Sequence, residues 1–208
     1  MPQLQVLPWL RPQRDYLGCI DRVDASAAGW DEQGFTCSRP QYYPVGPVFY
    51  KTAPTRYGRL GGNLSAPPLQ AYHAFRLGQG TGKDHGRYFL LAELRYENGE
   101  RLEEGAVGEY AGTGHGICAA YRGKGVGRAF FKELMKRGLW TPEALGYSPQ
   151  GRATAISAHR SLIHDALLTD LVIPPHVLAD YPTLMQPPHP TDASHRPNTP
   201  LSRPHQKF

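Results

Sequence analysis

The chain has 208 residues, enough for one domain with a real core or for one domain with appendages. Its 23 glycines and 20 prolines, with a hydrophobic fraction of 40%, argue against a helical bundle and for short strands joined by many turns. The net charge of +5 suits an anionic partner such as nucleic acid, a phosphorylated cofactor or an acidic surface, or else a surplus that serves only solubility.

Three cysteines, Cys19, Cys37 and Cys118, form no C-x-x-C pair, which excludes a disulfide framework and a zinc ribbon at the level of pattern. The opening "MPQLQVLPWLRPQRDY" lacks the cationic and apolar regions of a signal peptide. No apolar run approaches the about 18 residues that a membrane helix needs. The expectation is a soluble cytoplasmic protein without membrane contact.

Residues 1–80 are interrupted by proline or glycine every few positions and read as an irregular β-rich region. Tyr42, Tyr43, Phe49, Tyr50 and Tyr57 lie near Lys51, Arg56 and Arg59. Such a mixture either stacks bases and holds phosphates or forms the core of a small β structure. "GQGTGKDHG", starting at Gly78, fails as a P-loop, because Leu77 stands where glycine is required and Asp84 where Ser or Thr is required. It reads as an exposed turn.

Residues 81–185 read as an α+β core. "RYFLLAELRY" and "RLEEGAVGEY" flank Asn98-Gly99, so a β-hairpin is predicted over about 87–110, with both central turn residues at positive φ. "GTGHGICAAY" predicts a short third strand. A glycine-rich turn follows, then a helix from Val126 whose apolar residues recur at Phe130 and Leu134 and which Gly138 stops. A second helix is predicted from Ser148 as cap and Pro149 at its first position, with Ile156, Leu162, Ile163, Ala166 and Leu167 inward. Pro174-Pro175 ends it, and "HVLADY" predicts one more helical turn. Residues 186–208 are proline-rich and polar and predict a disordered tail.

The chemistry concentrates in "YRGKGVGRAFFKELMKRG". A strand that enters a glycine-rich turn and then a helix aims several backbone N–H groups one way, and the helix dipole adds positive potential. Gly123, Gly125 and Gly127 permit close approach of an oxyanion, and Arg122, Lys124 and Arg128 add charge. The stretch resembles motif A of the GCN5-related N-acetyltransferases, Arg/Gln-x-x-Gly-x-Gly/Ala between a strand and a helix. Arg122, Gly125 and Gly127 take its first, fourth and sixth places, and the resemblance spans residues 87–138. It implies an N-acyltransferase-like protein that holds the pyrophosphate of acetyl-CoA or another acyl-CoA on residues Arg122, Gly123, Lys124, Gly125, Val126, Gly127 and Arg128.

That family also has helices between its first two strands, and a strand followed by an Asn-containing helix after the motif. Neither is legible here. Residues 159–182 are similar to tail segments of phage, plasmid and other mobile-element proteins, and also read simply as an amphipathic helix with a Pro-Pro stop.

Acyl transfer needs a general base for the attacking amine and an acid for the leaving thiolate. Glu109, just before the glycine run, is the predicted base. Glu93 is the other available carboxylate, and Tyr147 is an acid by exclusion. His159 and His164 are five apart, a poor helical pairing for a metal, and His85 and His115 lack matching ligands; no metal site is predicted. The alternative is a non-enzymatic, nucleic-acid-associated basic protein. It rests on Lys124, Arg128, Lys132 and Lys136, spaced by four along one helix face.

Overall fold

The computed structural model describes residues 7–23, 39–57, 69–112, 114–142 and 146–185. The expected tail at 186–208, and Arg59 of the basic-aromatic stretch, lie outside these. The fold is α+β, as expected: one antiparallel sheet with helices on one face. Its strands are β1 (Tyr42–Lys51), β2 (Thr55–Tyr57), β3 (Leu69–Gly80), β4 (Tyr88–Tyr96), β5 (Arg101–Tyr110) and β6 (His115–Ile117). The order across the sheet is β1-β3-β4-β5-β6, with β2 pairing β3 beside β1. The helices are α1 (Gln13–Leu17), α2 (Val126–Lys136), α3 (Pro149–Leu168) and α4 (Pro175–Leu178).

The sheet runs straight across the boundary expected near residue 80. β3 and β4 pair from Ala71↔Tyr96 to Gln79↔Tyr88, so β1 and β3 belong to the same layer as the predicted hairpin. Pro44 and Pro47 are tolerated because β1 is an edge strand, where a missing N–H breaks no ladder on the outer side. Its register shifts between Val45 and Tyr50.

The hairpin turn differs from the expected type. Gly99 has φ +89, but Asn98 is not at positive φ. Gly99 N–H donates to Tyr96 O at 3.0 Å, and Tyr96 N–H to Glu100 O at 2.9 Å. This is a three-residue loop closed by a glycine bulge, which needs only one left-handed residue.

α2 forms where the pattern placed it. Val126, Phe130, Phe131, Leu134 and Met135 are buried against Phe75, Leu77, Leu90, Val107 and Tyr110 of the sheet and Ala155, Ala158 and Leu162 of α3. Gly138 at φ +67 ends it. The N–H of Leu139 reaches Leu134 O at 2.9 Å, and that of Gly138 reaches Met135 O at 3.1 Å, the two bonds of a Schellman stop. Tyr110 then pins the loop beyond: its hydroxyl accepts from Thr141 N–H at 2.8 Å and donates to Thr141 O at 2.9 Å, and Trp140 stacks on its ring.

α3 starts at Ser148, whose hydroxyl oxygen accepts from Gly151 N–H at 3.1 Å. Leu162, Ile163 and Ala166 are buried as expected, while Ile156 and Leu167 pack at the margin. The predicted extra turn is α4, and a second cluster of Ile163, Ala166, Ile173, Val177 and Tyr181 covers it. Among the described residues no helix is long and apolar enough to cross a membrane.

Candidate functional site

The glycine-rich turn lies over the helix-side face of the sheet, and what it meets there was not legible in the sequence. Opposite β4, the ladder pairs Ala92 with Gly105 and Glu93 with Glu103. Glu104 is therefore an extra residue in a β-bulge, and Gly105 takes φ +92 to permit it. The bulge sends Glu104 to the helix side. There its Oε1 lies 3.2 Å from His73 Nε2, and its Oε2 accepts from the Tyr121 hydroxyl.

Each partner is held from elsewhere. His73 lies on β3, with its backbone N–H donating to Thr52 Oγ1 at 2.9 Å. Tyr121 closes a 3-10 turn, Ala119–Tyr121, and its ring meets His73 and Phe75 edge-on, with centroids 5.1 and 5.6 Å apart. The His73 and Glu104 side chains are only 13% and 26% exposed, so the pair interacts in a partly dry setting where charge counts for more than on an open surface.

The turn continues directly from Tyr121. Gly123 and Gly125 have φ +71 and +76, so both need the left-handed region. A side chain at Gly123 would meet nothing within 4 Å among the described residues, which leaves that side of the backbone open to them. Gly125 caps α2 in place of a polar side chain, and the first turn carries no acidic residue. Tyr50 Oη donates to Lys124 O at 2.5 Å, anchoring the turn to β1. Arg122 Nε reaches Ile117 O at 3.0 Å, and Lys124 Nζ reaches Ala120 O at 2.9 Å and lies 6.0 Å from the Tyr121 ring centroid. Arg128 is exposed. The sum is an uncapped helix start with cations around it, beside a carboxylate shared by an imidazole and a phenol.

Gly127 has a different part. A β-carbon there would lie 3.0 Å from Ile117 Cδ1 and 3.4 Å from Thr154 Cγ2. Its small size lets α2 pack between β6 and α3 rather than admit an oxyanion.

Glu109 is not brought to the turn. It stands opposite Phe89, on the sheet face away from the helices, and pairs with Arg87 at 3.4 Å. The reason is alternation: Tyr110 and Gly108 face α2, so Glu109 cannot. Glu93 is on that same outer face, buried, with Arg95 at 2.6 Å and Arg101 at 3.0 Å. Tyr147 is fully buried and donates to Leu17 O at 2.5 Å, a tie between α1 and the start of α3. His115 meets Phe131 edge-on, and His85 is exposed.

His159 is a core residue. Its ring nitrogens lie 2.8 Å from Tyr181 Oη and 2.9 Å from Pro8 O, and burial pushes its pKa down. Burial pushes the Cys118 thiol up, against the pull of Arg122, so it is a poor nucleophile near neutral pH.

The basic stripe is interrupted. Lys132 Nζ lies 2.7 Å from Asp165 Oδ2 and 2.8 Å from Ser161 Oγ, and Lys136 reaches the same carboxylate at 3.7 Å. Burial alone would raise the Asp165 pKa, but Lys132 and Lys136 more than offset it and hold it below the ordinary value. Half of the stripe thus faces α3.

Among the described residues β6 pairs with β5 alone, antiparallel, and no strand follows α2. The further strand of the acetyltransferase pattern is not formed there. The signal that could have found Glu104 is Gly105 inside a strand, the usual mark of a bulge. No family model, curated protein or solved structure matches this chain.

Proposed function

We propose that the chain is an acyl-CoA-dependent N-acyltransferase whose turn, residues 122–128, holds the ligand's pyrophosphate. One observation carries the reading: the chain runs from Tyr121 of the Glu104–His73–Tyr121 cluster straight into an uncapped, glycine-opened helix start, with Lys124 Nζ 6.0 Å from the Tyr121 ring. The backbone amides from Gly123 to Arg128 would hold the phosphates, aided by the helix dipole and by the Arg128 charge. Gly123 and Gly125 fit such a ligand, because the backbone at Gly123 is open and Gly125 leaves the helix start without a competing side chain. When bound, acyl-CoA supplies an activated acyl group as a thioester.

The chain's own residues supply the proton chemistry. His73, its Nε2 on Glu104, would take the proton of an attacking amine, and the Glu104 carboxylate would stabilise the imidazolium that forms. Tyr121 holds a proton at Oη against the same carboxylate. Glu104 thus replaces Glu109 as the carboxylate of the proposed site. The nucleic-acid reading comes second, because Lys132 and Lys136 converge on Asp165.

The test is calorimetric titration of the full chain with coenzyme A and, separately, with pantetheine, which lacks the pyrophosphate. The proposal expects saturable heat with coenzyme A and at least about tenfold weaker binding of pantetheine. No heat with millimolar coenzyme A, or equal affinity for the two, removes it.

A further inference from the structure

One buried imidazole joins three separate parts of the chain. His159, on α3, is fully buried. Its Nε2 lies 2.9 Å from Pro8 O and its Nδ1 2.8 Å from Tyr181 Oη, while the Tyr16 ring of α1 stacks on it with centroids 5.1 Å apart. A carbonyl oxygen only accepts, so the neutral ring carries its proton on Nε2 and accepts from the Tyr181 hydroxyl at Nδ1. Burial raises the Tyr181 pKa to about 12, against a side-chain hydrogen bond from Gln13 that lowers it, so this hydroxyl keeps its proton.

A second proton on the ring fits badly. It would set N–H against O–H at Nδ1, where the Tyr181 oxygen already receives the Gln13 bond. Burial holds the His159 pKa down, against the pull of Pro8 O and of the Asp180 charge. The Asp180 carboxylate is exposed and already accepts from Gln13 N–H at 2.5 Å. Tyr16 is kept neutral by burial and by Tyr110 of the sheet, against Arg11. Arg160, next on α3, adds a like charge and donates to Thr183 Oγ1 at 2.9 Å. His164 and His176 are exposed. A buried imidazolium so placed is met most cheaply by water, which requires one of its two clasping segments to lift.

The two segments are held unequally. In the N-terminal one, Tyr16, Leu17 and Ile20 belong to the main core, Leu17 O accepts from Tyr147 Oη at 2.5 Å, and Ile20 O accepts from Arg152 Nε at 2.8 Å. The C-terminal one buries Ile173, Val177 and Tyr181 only in the smaller cluster on Ile163 and Ala166, and its ties through Asp180 and Thr183 are at the surface. We propose that residues 173–185 form an acid-released strap: protonation of His159 frees them from α3, baring Ile163 and Ala166, while the sheet, α2 and α3 stay folded. The strap does not depend on what the glycine-rich turn holds.

The experiment is amide hydrogen exchange of the full chain at about pH 7.5 and about pH 5.5, corrected for the intrinsic change in exchange rate. Once the strap is open, the ring titrates near about 6.5, so opening is flat above that pH and grows below it, by about tenfold between the two conditions. The probes are the Val177, Leu178, Ala179 and Tyr181 amides, each bonded within the strap. They should lose about tenfold in protection, while remaining less protected than the β4 amides and responding less to low urea, as a local opening does. His159→Gln should remove the pH effect, and His176→Gln should leave it. Should His159→Gln not fold, the exchange of the unchanged protein decides. Equal strap protection at the two pH values, strap and β4 amides sharing one protection and one urea response, a pH effect that persists in folded His159→Gln, or one that His176→Gln abolishes would each overturn it.

Discussion

Gly127 distinguishes a packing glycine from a ligand-admitting one, and two substitutions read the difference. Gly127 lies in the first turn of α2 at ordinary helical φ, so alanine brings no backbone strain and a propensity gain of at most about 1 kcal/mol. Its new methyl would sit 3.0 Å from Ile117 Cδ1, closer than the roughly 3.5–4.0 Å optimum, but that atom is the end of a side chain that can turn aside. Gly127→Ala should therefore stay within about 1 kcal/mol of the parent. Valine adds two more methyls in a space closed by Ile117 on one side and Thr154 Cγ2 on the other. Overpacking of that kind costs about 1–3 kcal/mol, which at a typical urea slope of about 2 kcal/mol/M moves the unfolding midpoint down by about 1 M. Urea titration followed by circular dichroism reads this directly. Ile117→Val, which removes Cδ1, should recover part of the loss when combined with Gly127→Val. An unchanged midpoint in Gly127→Val, or no recovery in the double variant, would refute the packing assignment.

Two further outcomes follow from the contacts. The native chain keeps His159 neutral, with its pKa lowered by burial against the opposing pulls of Pro8 O and Asp180. The unfolded chain binds its proton near about 6.5, so stability is complete above that pH and falls as pH drops through it toward the lower native value. Urea midpoints at neutral and mildly acidic pH read this, and Tyr181→Phe should add a loss of about 1–3 kcal/mol by stranding a buried ring nitrogen. Changing Lys132 and Lys136 together to Gln should cost only about 0–1 kcal/mol, because the shared Asp165 carboxylate is 41% exposed. The same double variant should leave the salt dependence of any DNA or RNA binding unchanged. A slope that drops by nearly two units on duplex would instead place phosphates along that helix face.

Much of the second half was legible because its signals are local. Gly138 stops α2 and Ser148-Pro149 starts α3 through their own caps, whatever surrounds them. The hairpin was legible from its alternation, though its turn was not, because a glycine bulge and a two-residue turn share the same Asn-Gly pair. The first half was less readable. β3 sits second in the sheet, yet its sequence gives no clean period: Ala71, Phe75 and Leu77 pack inward while His73 on the same face serves Glu104. β1 is broken by Pro44, Gly46 and Pro47, which an edge strand tolerates and a sequence window counts as a loop. The site was half legible. The turn announces itself through its glycines, but Glu104, His73 and Tyr121 come from three distant segments. The bulge at Gly105 reverses the alternation by which a carboxylate's face would be inferred.

The central claim, that the backbone around Gly123 receives a phosphate-bearing ligand, is tested most directly by a matched pair of variants. Asn and Asp both tolerate the left-handed backbone that Gly123 adopts at φ +71 and have nearly the same shape, and a β-carbon there meets nothing within 4 Å among the described residues. Gly123→Asn and Gly123→Asp should therefore fold alike and differ only by one negative charge at the mouth of the turn. In calorimetric titrations with coenzyme A at low salt, the account predicts that the Asp variant binds at least about tenfold more weakly than the Asn variant, with the gap narrowing as salt is added. Equal affinities for coenzyme A in the two variants would contradict it.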